Sequence, residues 1–554
     1  MRHKNVMALA VAVSLLTAAC SSGSSDGGST GHATDVVTIA NVAGQTWSCQ
    51  FNPFNPANNA QSLGTVYEPL VFVNTLKNAA ETPMLASSYT WGADKKSVVF
   101  TIRDNVKWSD GKPMTAADVA FTFNLMKKHP ALDLYALWTG NILDSVTAQG
   151  TTKVAMNFKV AAQPYFYDFA DQVGIVPEHI WSTGDPASRP NTWADPNPIG
   201  TGPYVVNPCK AQNIQYTKNP SYWQAGLPKI GKVEYPAYTD NSPANLDLAT
   251  GKAQWGSQFI PGIDKLYVAK DPANHHYWFP PVTNVALFPN LDPSHKATSN
   301  VAVRQALAYA IDKQQVSKIG ESGYQPPASQ TGVVTPTFQT YQDDAAAAQF
   351  NYPSATTKPD TAKATKLLAG AGFSPSHPLE LTVITITGYT DWDASLGEIK
   401  QELAPLGVKL TVSDLAAQAF DDKLYKGDFD LAYYSELGGP TPYYELRQIL
   451  HSKNSAPLGT VASSNYERYN NPAVDALFDQ YAAADKATQV SIIKQIGGYM
   501  LKDVPIIPTT EQVDWYEYNT KNLTGWPTKD NPFAQPSAFN VPDIEQVLLH
   551  LRSK

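Results

Sequence analysis

The chain has 554 residues, 41 Lys and Arg against 49 Asp and Glu, and a formal net charge of −8. That length allows two or more domains around a substantial core, and an acidic balance without basic runs argues against nucleic acid as a partner. The 42 prolines, 12 tryptophans and 28 tyrosines predict many loops and an aromatic-lined surface.

At the N-terminus, "MRHK" precedes the apolar run "VMALAVAVSLLTAA", which ends beside Cys20. The run has the length and flanks of a signal peptide (1–19) and is too short for a permanent span. Thr17, Ala18 and Ala19 before the cysteine resemble a bacterial lipobox, which implies cleavage before Cys20 and a lipid on its sulfur. "SSGSSDGGSTGHATD" then reads as a flexible tether (20–35). Its Gly23–Gly27 stretch matches G-x-S-x-G, but lacks the strand and helix that a nucleophile elbow requires. Cys49 and Cys209 are the other two cysteines. Outside the cytoplasm they are free to form a disulfide, or to stand as two unrelated buried thiols. No C-x-x-C spacing suggests a structural zinc.

Further along, "VVTIANV" (Val36–Val42) alternates as a strand does. "SVVFTIRDNVKWSDGKPMTAADVAFTFNLMKKH" predicts a strand with Val98, Phe100 and Ile102 on one face, then a turn through Gly111. After it comes a helix opened by a capping box, Thr115 with Asp118, with Val119, Phe123 and Met126 along one stripe. "KVAMNF" is another strand, and "NPIGTGPYVV" a glycine-punctuated turn into the next. From about Asn300 helices and strands alternate. "SNVAVRQALAYAIDKQQV" and "PDTAKATKLLAGAGF" are helices, the second starting near Asp360. "LELTVITI", the helix around "LGEIKQELAPLG" and "VKLTVSDL" form a β-α-β unit. "NPAVDALFDQYAAA" starts with Asn471 as cap and Pro472 at the first helical position, and "PIIPTTEQ" returns as a strand.

In this order, "FTIRDNVKWSDGKPMTAADVAFTF", "PIGTGPY", "VRQALAYAIDK", "AKATKLLAGAGF" and "NPAVDALFDQY…VPIIP" resemble the extracytoplasmic solute-binding proteins of family 5, the dipeptide- and oligopeptide-binding components of ABC importers. The resemblance implies an α/β, two-lobed, periplasmic-binding-protein-like fold (type II-like, with an extra N-terminal subdomain) that closes over a ligand between its lobes. The expected division is lobe I at 36–288 with an inserted subdomain at roughly 70–195, lobe II at 289–510, and a return segment to lobe I at 511–554. Trp108, Asp110 and Gly111 are read as a turn and its packing, and Arg304 and Asp312 as a helix face.

Three stretches are expected to face the cleft. "TWSCQFNPF" offers Trp47, Asn52 and Phe54, "AQWGSQF" offers Trp255 and Gln258, and "YWFPP" offers Tyr277 and Trp278. Trp515 lies near the second crossing between lobes. Aromatic faces beside amides on loops suit an uncharged polar ligand. The fourth candidate is "YYSELGGPTPYYE", Tyr433–Glu445, with Tyr434, Glu436, Gly439, Tyr443 and Tyr444 as the second-lobe wall. In peptide-binding relatives the matching strand is followed by a tryptophan and then an acid that binds the peptide's α-ammonium. Counting from Asp430, these positions fall on Glu436 and Gly439. A buried ammonium needs a paired charge, and Gly439 has none to offer; Glu436 or Glu445 would have to compensate.

The expected function is therefore capture of an extended oligomeric solute by lobe closure, without chemistry or cofactor. An oligopeptide is the solute class that the family implies, and a neutral, cello-oligosaccharide-like glycan is the alternative raised by Gly439. Expected partners are ABC permease subunits with their cytoplasmic ATPase and, through the lipid, the outer face of the membrane; the protein is expected to act as a monomer. Adjacent His275 and His276 on a strand would point to opposite faces, so they predict no metal site. Two other classes stay open: a glycan-active enzyme using Glu436 and Glu445, and a surface receptor without an importer. Truncating Trp255 or Tyr443 is expected to weaken binding and leave stability nearly unchanged.

Overall fold

A computed structural model describes residues 35–41, 46–55, 62–436 and 438–554, the side chain of Gln418 excepted. The expected leader, Cys20 and all but the last residue of the expected tether lie outside the described residues.

Residues 34–554 form one compact unit built on two large mixed sheets. The lobe I sheet has seven strands, in the order His275–Tyr277, Glu517–Asn519, Trp255–Gly256, Val36–Ala40, Lys232–Pro236, Asn213–Lys218 and Tyr204–Lys210. Its first strand in sequence runs down the middle, parallel to both neighbours, with Val36 opposite Lys232 and Ile39 opposite Trp255. Val37 and Ile39 are fully buried, as the alternating pattern requires. Cys49 and Cys209 are joined by a disulfide across 160 residues of sequence.

The inserted subdomain carries a separate antiparallel sheet, Ala86–Trp91, Ser97–Ile102, Lys153–Phe158 and Leu143–Gln149, with helix Ala116–Lys128 packed on it. That helix opens with the expected capping box. The Thr115 amide donates to the Asp118 carboxylate at 2.8 Å, and the Thr115 hydroxyl accepts from Ala117 N at 3.2 Å. Gly111 turns at φ +86° beside the fully buried Trp108.

The lobe II sheet runs Val408–Leu415, Leu379–Ile386, Leu431–Ser435, Pro281–Pro289 and Ile507–Val513. The expected β-α-β unit is present. Leu379–Ile386 and Val408–Leu415 pair in parallel from Leu379↔Val408 to Ile386↔Leu415, joined by helix Thr390–Leu403. Asn471 and Asp360 cap their helices through their side chains. Arg304 is buried and donates to the carbonyls of Thr298, Ser299, Asp503 and Val504, so it fastens its helix to the end of the helix Lys486–Asp503.

The crossings between lobes fall earlier and later than expected. The chain leaves the lobe I sheet at Tyr277 and enters the lobe II sheet at Pro281; it leaves lobe II at Val513 and rejoins lobe I at Glu517. Divisions at 288 and 510 would cut two paired strands. The run Val285–Phe288 is buried throughout, and a strand buried on both faces reads the same at either end of a domain. Among the described residues, no helix is long and apolar enough to cross a membrane.

Candidate ligand cleft

The parallel strands of lobe II end at Ile386, Leu415 and Ser435, alongside Val513 and the start of Pro281–Pro289. This is the edge from which the two crossing segments leave for lobe I. In open α/β sheets ligands bind beyond the carboxyl ends of strands, so this edge and the lobe I surface facing it define the candidate site.

Beside the crossings, Phe259 of lobe I and Tyr324 of lobe II pack on Phe279 and Trp515. Trp515 lies 4.8 Å from Phe279, 5.5 Å from Phe259 and 6.1 Å from Tyr324, ring centre to centre. At the distant rim the inserted subdomain meets helix Pro442–Leu450 of lobe II. Tyr167 sits edge-on to Tyr444 at 5.3 Å, and Tyr165 edge-on to Tyr443 at 6.4 Å. Arg447 reaches Asp168 at 3.4 Å, and its guanidinium lies over the Tyr165 ring at 4.9 Å. Both members of this ion pair are largely buried. Burial lifts the Asp168 carboxyl to about 6 against the opposing pull of Arg447.

Between hinge and rim, the wall of lobe II is rich in carboxyls. Glu445 accepts from the backbone and side-chain amides of Asn284 at 3.1 and 2.9 Å. Glu511 accepts from Thr335 N at 2.7 Å and from its hydroxyl at 3.1 Å. Glu436 is 4 % exposed and its Oε1 has no hydrogen-bond partner. Burial raises Glu436 and Glu445 to about 8, and each is raised further by a neighbouring carboxylate, Glu445 and Glu511 respectively. Gly438 and Gly439 are there because side chains do not fit. A Cβ on Gly438 would lie 2.6 Å from the Val282 carbonyl oxygen, and one on Gly439 2.6 Å from Cγ of Tyr444.

The expected site residues divide into two sets. Tyr434, Glu436, Gly439, Tyr443 and Tyr444 come together on the lobe II wall, and Trp515 lies at the hinge. Gln258 turns its Nε2 to Asn245 and leaves a buried Oε1 without a partner. Trp278 is half-buried against the lobe I core, its backbone N–H donating to the Tyr516 carbonyl. Tyr277 packs on Phe279 at 5.0 Å. The other set belongs to the interior of lobe I. Trp255 is fully buried and donates from its indole to the Pro536 carbonyl at 2.9 Å. The Asn52 amide donates to the carbonyls of Pro190 and Trp193 at 2.7 and 2.8 Å, and its oxygen accepts from Phe54 N. Trp47 packs edge-on to Tyr235, and Phe54 edge-on to Trp181. The expectation that Trp255 could be truncated without loss of stability is corrected accordingly. Tyr443 is corrected in the same way, since it is fully buried and stacked on Tyr481 at 4.2 Å. His275 stacks on Tyr267 and bonds its carbonyl, while His276 bonds Thr520.

Asp168, Tyr165, Tyr167, Phe259, Phe279 and Tyr324 were not anticipated, and they are far from the tyrosine loop in sequence. Arg447 was within reach: it follows Tyr443 by four residues on a helix that Pro442 opens, which places the two on one face.

The sequence model of the bacterial extracellular solute-binding proteins, family 5 Middle, matches residues 81–457. The chain belongs to this family. It is accordingly an extracytoplasmic solute-binding protein and not an enzyme. Its curated relatives include the oligopeptide-binding protein OppA of Bacillus subtilis, 24% identical over 503 residues, with 85% of this chain and 86% of the relative covered. The glutathione-binding protein GsiB of Salmonella typhimurium is 27% identical over 464 residues, covering 81% and 84%. Among solved structures, an oligopeptide ABC transporter periplasmic binding protein from Thermotoga maritima, bound to mannohexaose, aligns with a TM-score of 0.84 at 24% identity, over 94% of this chain and 99% of that one. AppA of Bacillus subtilis, in complex with a nonapeptide, aligns with a TM-score of 0.77 at 19% identity, over 94% and 99%. These likenesses establish the two-lobed fold. One neighbour holds a sugar and the other a peptide, so the fold leaves the ligand open.

Proposed function

We propose that this protein is the binding component of an ABC importer, capturing an extended peptide by closing its lobes and presenting the closed form to the permease and its cytoplasmic ATPase. The observation that carries this reading is the pair of interlobe contacts, hinge aromatics on one side and the Arg447–Asp168 rim on the other, with buried, incompletely bonded carboxyls between them. A ligand selects the closed state only through contacts it gains on closure, and that geometry provides contacts from both lobes. The oligopeptide- and glutathione-binding names of the relatives support a peptide-class solute. The lipobox-like end at Cys20 supports a membrane-tethered protein that samples solute outside the cell.

A second reading has one observation of its own. Tyr444 leaves no room for a side chain at Gly439, the position expected to match the relatives' acid, and a neighbour of this fold holds mannohexaose. A neutral oligosaccharide would need no acid there.

Native mass spectrometry of the protein as purified should reveal a bound peptide, and thermal shift should show the melting temperature rising with peptide concentration. A retained hexose oligomer would overturn the peptide reading in favour of the second. Arg447→Met tests the rim. It should weaken ligand binding about tenfold, roughly 1.4 kcal/mol, and leave the ligand-bound protein more extended in small-angle scattering. An unchanged affinity and radius would remove the rim from the mechanism.

A further inference from the structure

The four-stranded sheet of the inserted subdomain has one basic end. Strand Ser97–Ile102 begins there, Lys153–Phe158 ends there and Leu143–Gln149 begins there. Helix Ala116–Lys128 returns to the same end, where Lys127 Nζ donates to the Asp144 carbonyl at 3.3 Å. Lys96 stands just before the first of these strands, and its carbonyl accepts from Phe158 N at 2.8 Å. Lys159 follows the second strand, and Lys127 and Lys128 close the helix. These four lysines are exposed, and Lys95 beside them is half-buried. Among the described residues none of the five has an ion pair. The exposed acids on these segments are Asp94 and Asp144. This end therefore carries an excess of positive charge on a chain whose formal net charge is −8.

A surface depression of about 370 Å³ opens at the same end. Met126, Pro130, Trp138 and Leu143 give it an apolar lining, and Lys127 and Lys159 supply its cations. It is preformed. The Trp138 indole donates to the Phe123 carbonyl at 2.8 Å, and the Lys127 ammonium lies 4.5 Å from the ring centre. The loop that bears Trp138 is pinned by Asp133, whose carboxylate accepts from the amides of Leu137, Trp138 and Thr139 at 2.8 Å each. On that loop Leu134 is 39 % exposed, and Val160, next to Lys159, is 37 % exposed. No lining residue belongs to the stretch 165–168 that meets lobe II, so opening or closing the cleft leaves this face as it is.

Charges more than about 10 Å apart are largely screened at ordinary ionic strength. A partner at this end therefore meets the lysines and not the acidic average of the molecule. The ammonium groups are spread over three strand ends and a helix end, which suits a layer of repeated phosphates better than one small anion. Exposed aliphatic side chains and a half-buried tryptophan among lysines are the residues that settle at a lipid–water boundary. We propose that this end of the inserted subdomain is the face that the protein turns to an anionic phospholipid surface, with a headgroup seated in the depression between Lys127 and Lys159. The face is independent of the solute in the cleft. It orients the body on the membrane, and it needs no lipid on Cys20 to do so.

The test is co-sedimentation with vesicles of the chain from residue 20 with Cys20→Ser, which keeps every described residue and leaves neither the expected leader nor its lipid to hold it. One set of vesicles is phosphatidylglycerol and phosphatidylcholine in equal parts, the other phosphatidylcholine alone. Support is binding about tenfold tighter or more to the anionic set, lost on raising salt from about 0.05 M to about 0.5 M. It should also be lost in Lys127→Glu/Lys159→Glu and kept in Lys265→Glu/Lys366→Glu, which makes the same change in net charge on exposed lysines elsewhere. Equal binding to both kinds of vesicle, or binding to neither, overturns the face. Equal loss in the two double variants overturns it too, because net charge and not this end would then decide. Lys96→Glu/Lys128→Glu, which leaves the lining of the depression intact, decides in the same way if the first pair fails to fold.

Discussion

Trp255 in lobe I and Glu436 in lobe II are buried almost equally, at 0 % and 4 %, and their surroundings differ completely. The Trp255 indole donates its hydrogen bond to the Pro536 carbonyl and has its ring against Trp526. Asn52, in the same lobe, has both ends of its amide bonded to backbone. Glu436 lies among tyrosines and other acids with an oxygen that nothing in the described protein satisfies. Burial alone does not separate these two surroundings; the hydrogen bonding of the two side chains does.

That contrast is most sharply broken or upheld at Trp255. Trp255→Ala should cost about 3–5 kcal/mol of stability, read in urea melts, while the molecules that remain folded bind ligand as before. Weakened binding at unchanged stability would move Trp255 to the cleft and erase the distinction.

On the lobe II side, pH is the lever. Burial raises Glu436, Glu445 and Asp514 to about 8, and Glu511 to about 7. Each of these carboxyls holds its proton more tightly folded than unfolded. Their contribution is complete below the ordinary carboxyl range and is lost as pH rises toward 8. The ligand-free protein should lose stability across that window, by roughly 1.4 kcal/mol per pH unit for each carboxyl while its folded and unfolded charges differ. Glu436→Gln should flatten the slope by one such contribution without lowering the melting temperature. A melting temperature that climbs from about pH 5 to 8 would show these carboxyls to be paired after all.

Much of the scaffold was legible because it is written locally. The capping box at Thr115 and Asp118, the caps at Asp360 and Asn471, and the β-α-β unit of lobe II depend on neighbours a few residues apart, and each stands where the pattern put it. The crossings between lobes were displaced because Val285–Phe288 is apolar on both faces and carries no period that marks an edge. In the site, the tyrosine loop was legible from composition and turn residues. Trp47, Asn52, Phe54 and Trp255 were misplaced because a tryptophan or amide on an irregular segment looks the same whether the partner is a ligand or a distant carbonyl. Pro536 lies 281 residues from Trp255, and no local signal announces that bond. Asp168 and Tyr165 escaped notice for the same reason, since their counterpart Arg447 sits 279 residues away from the aspartate.

The smallest test lies within the loop itself. Gly438 and Gly439 both exclude a Cβ, but they meet different obstacles: a backbone carbonyl at Val282 for the first and the Tyr444 ring for the second. A backbone on the first strand of lobe II cannot yield, so Gly438→Ala should behave as overpacking, costing about 1–3 kcal/mol of stability. At Gly439 the obstacle includes Cβ of Tyr444 at 2.7 Å, which is fixed to the backbone, so only the ring beyond it can turn. Gly439→Ala should therefore also cost about 1–3 kcal/mol of stability, and the ring it shifts is the one that meets Tyr167 across the rim. Loss of that edge-on pair, worth roughly 0.5–1 kcal/mol, predicts ligand binding weakened about two- to fivefold. Adjacent glycines would then report on the two halves of the contrast, the first through unfolding alone and the second through unfolding and binding together. If both substitutions acted only on stability, the Tyr444–Tyr167 contact would be packing and the rim would rest on Arg447 and Asp168 alone.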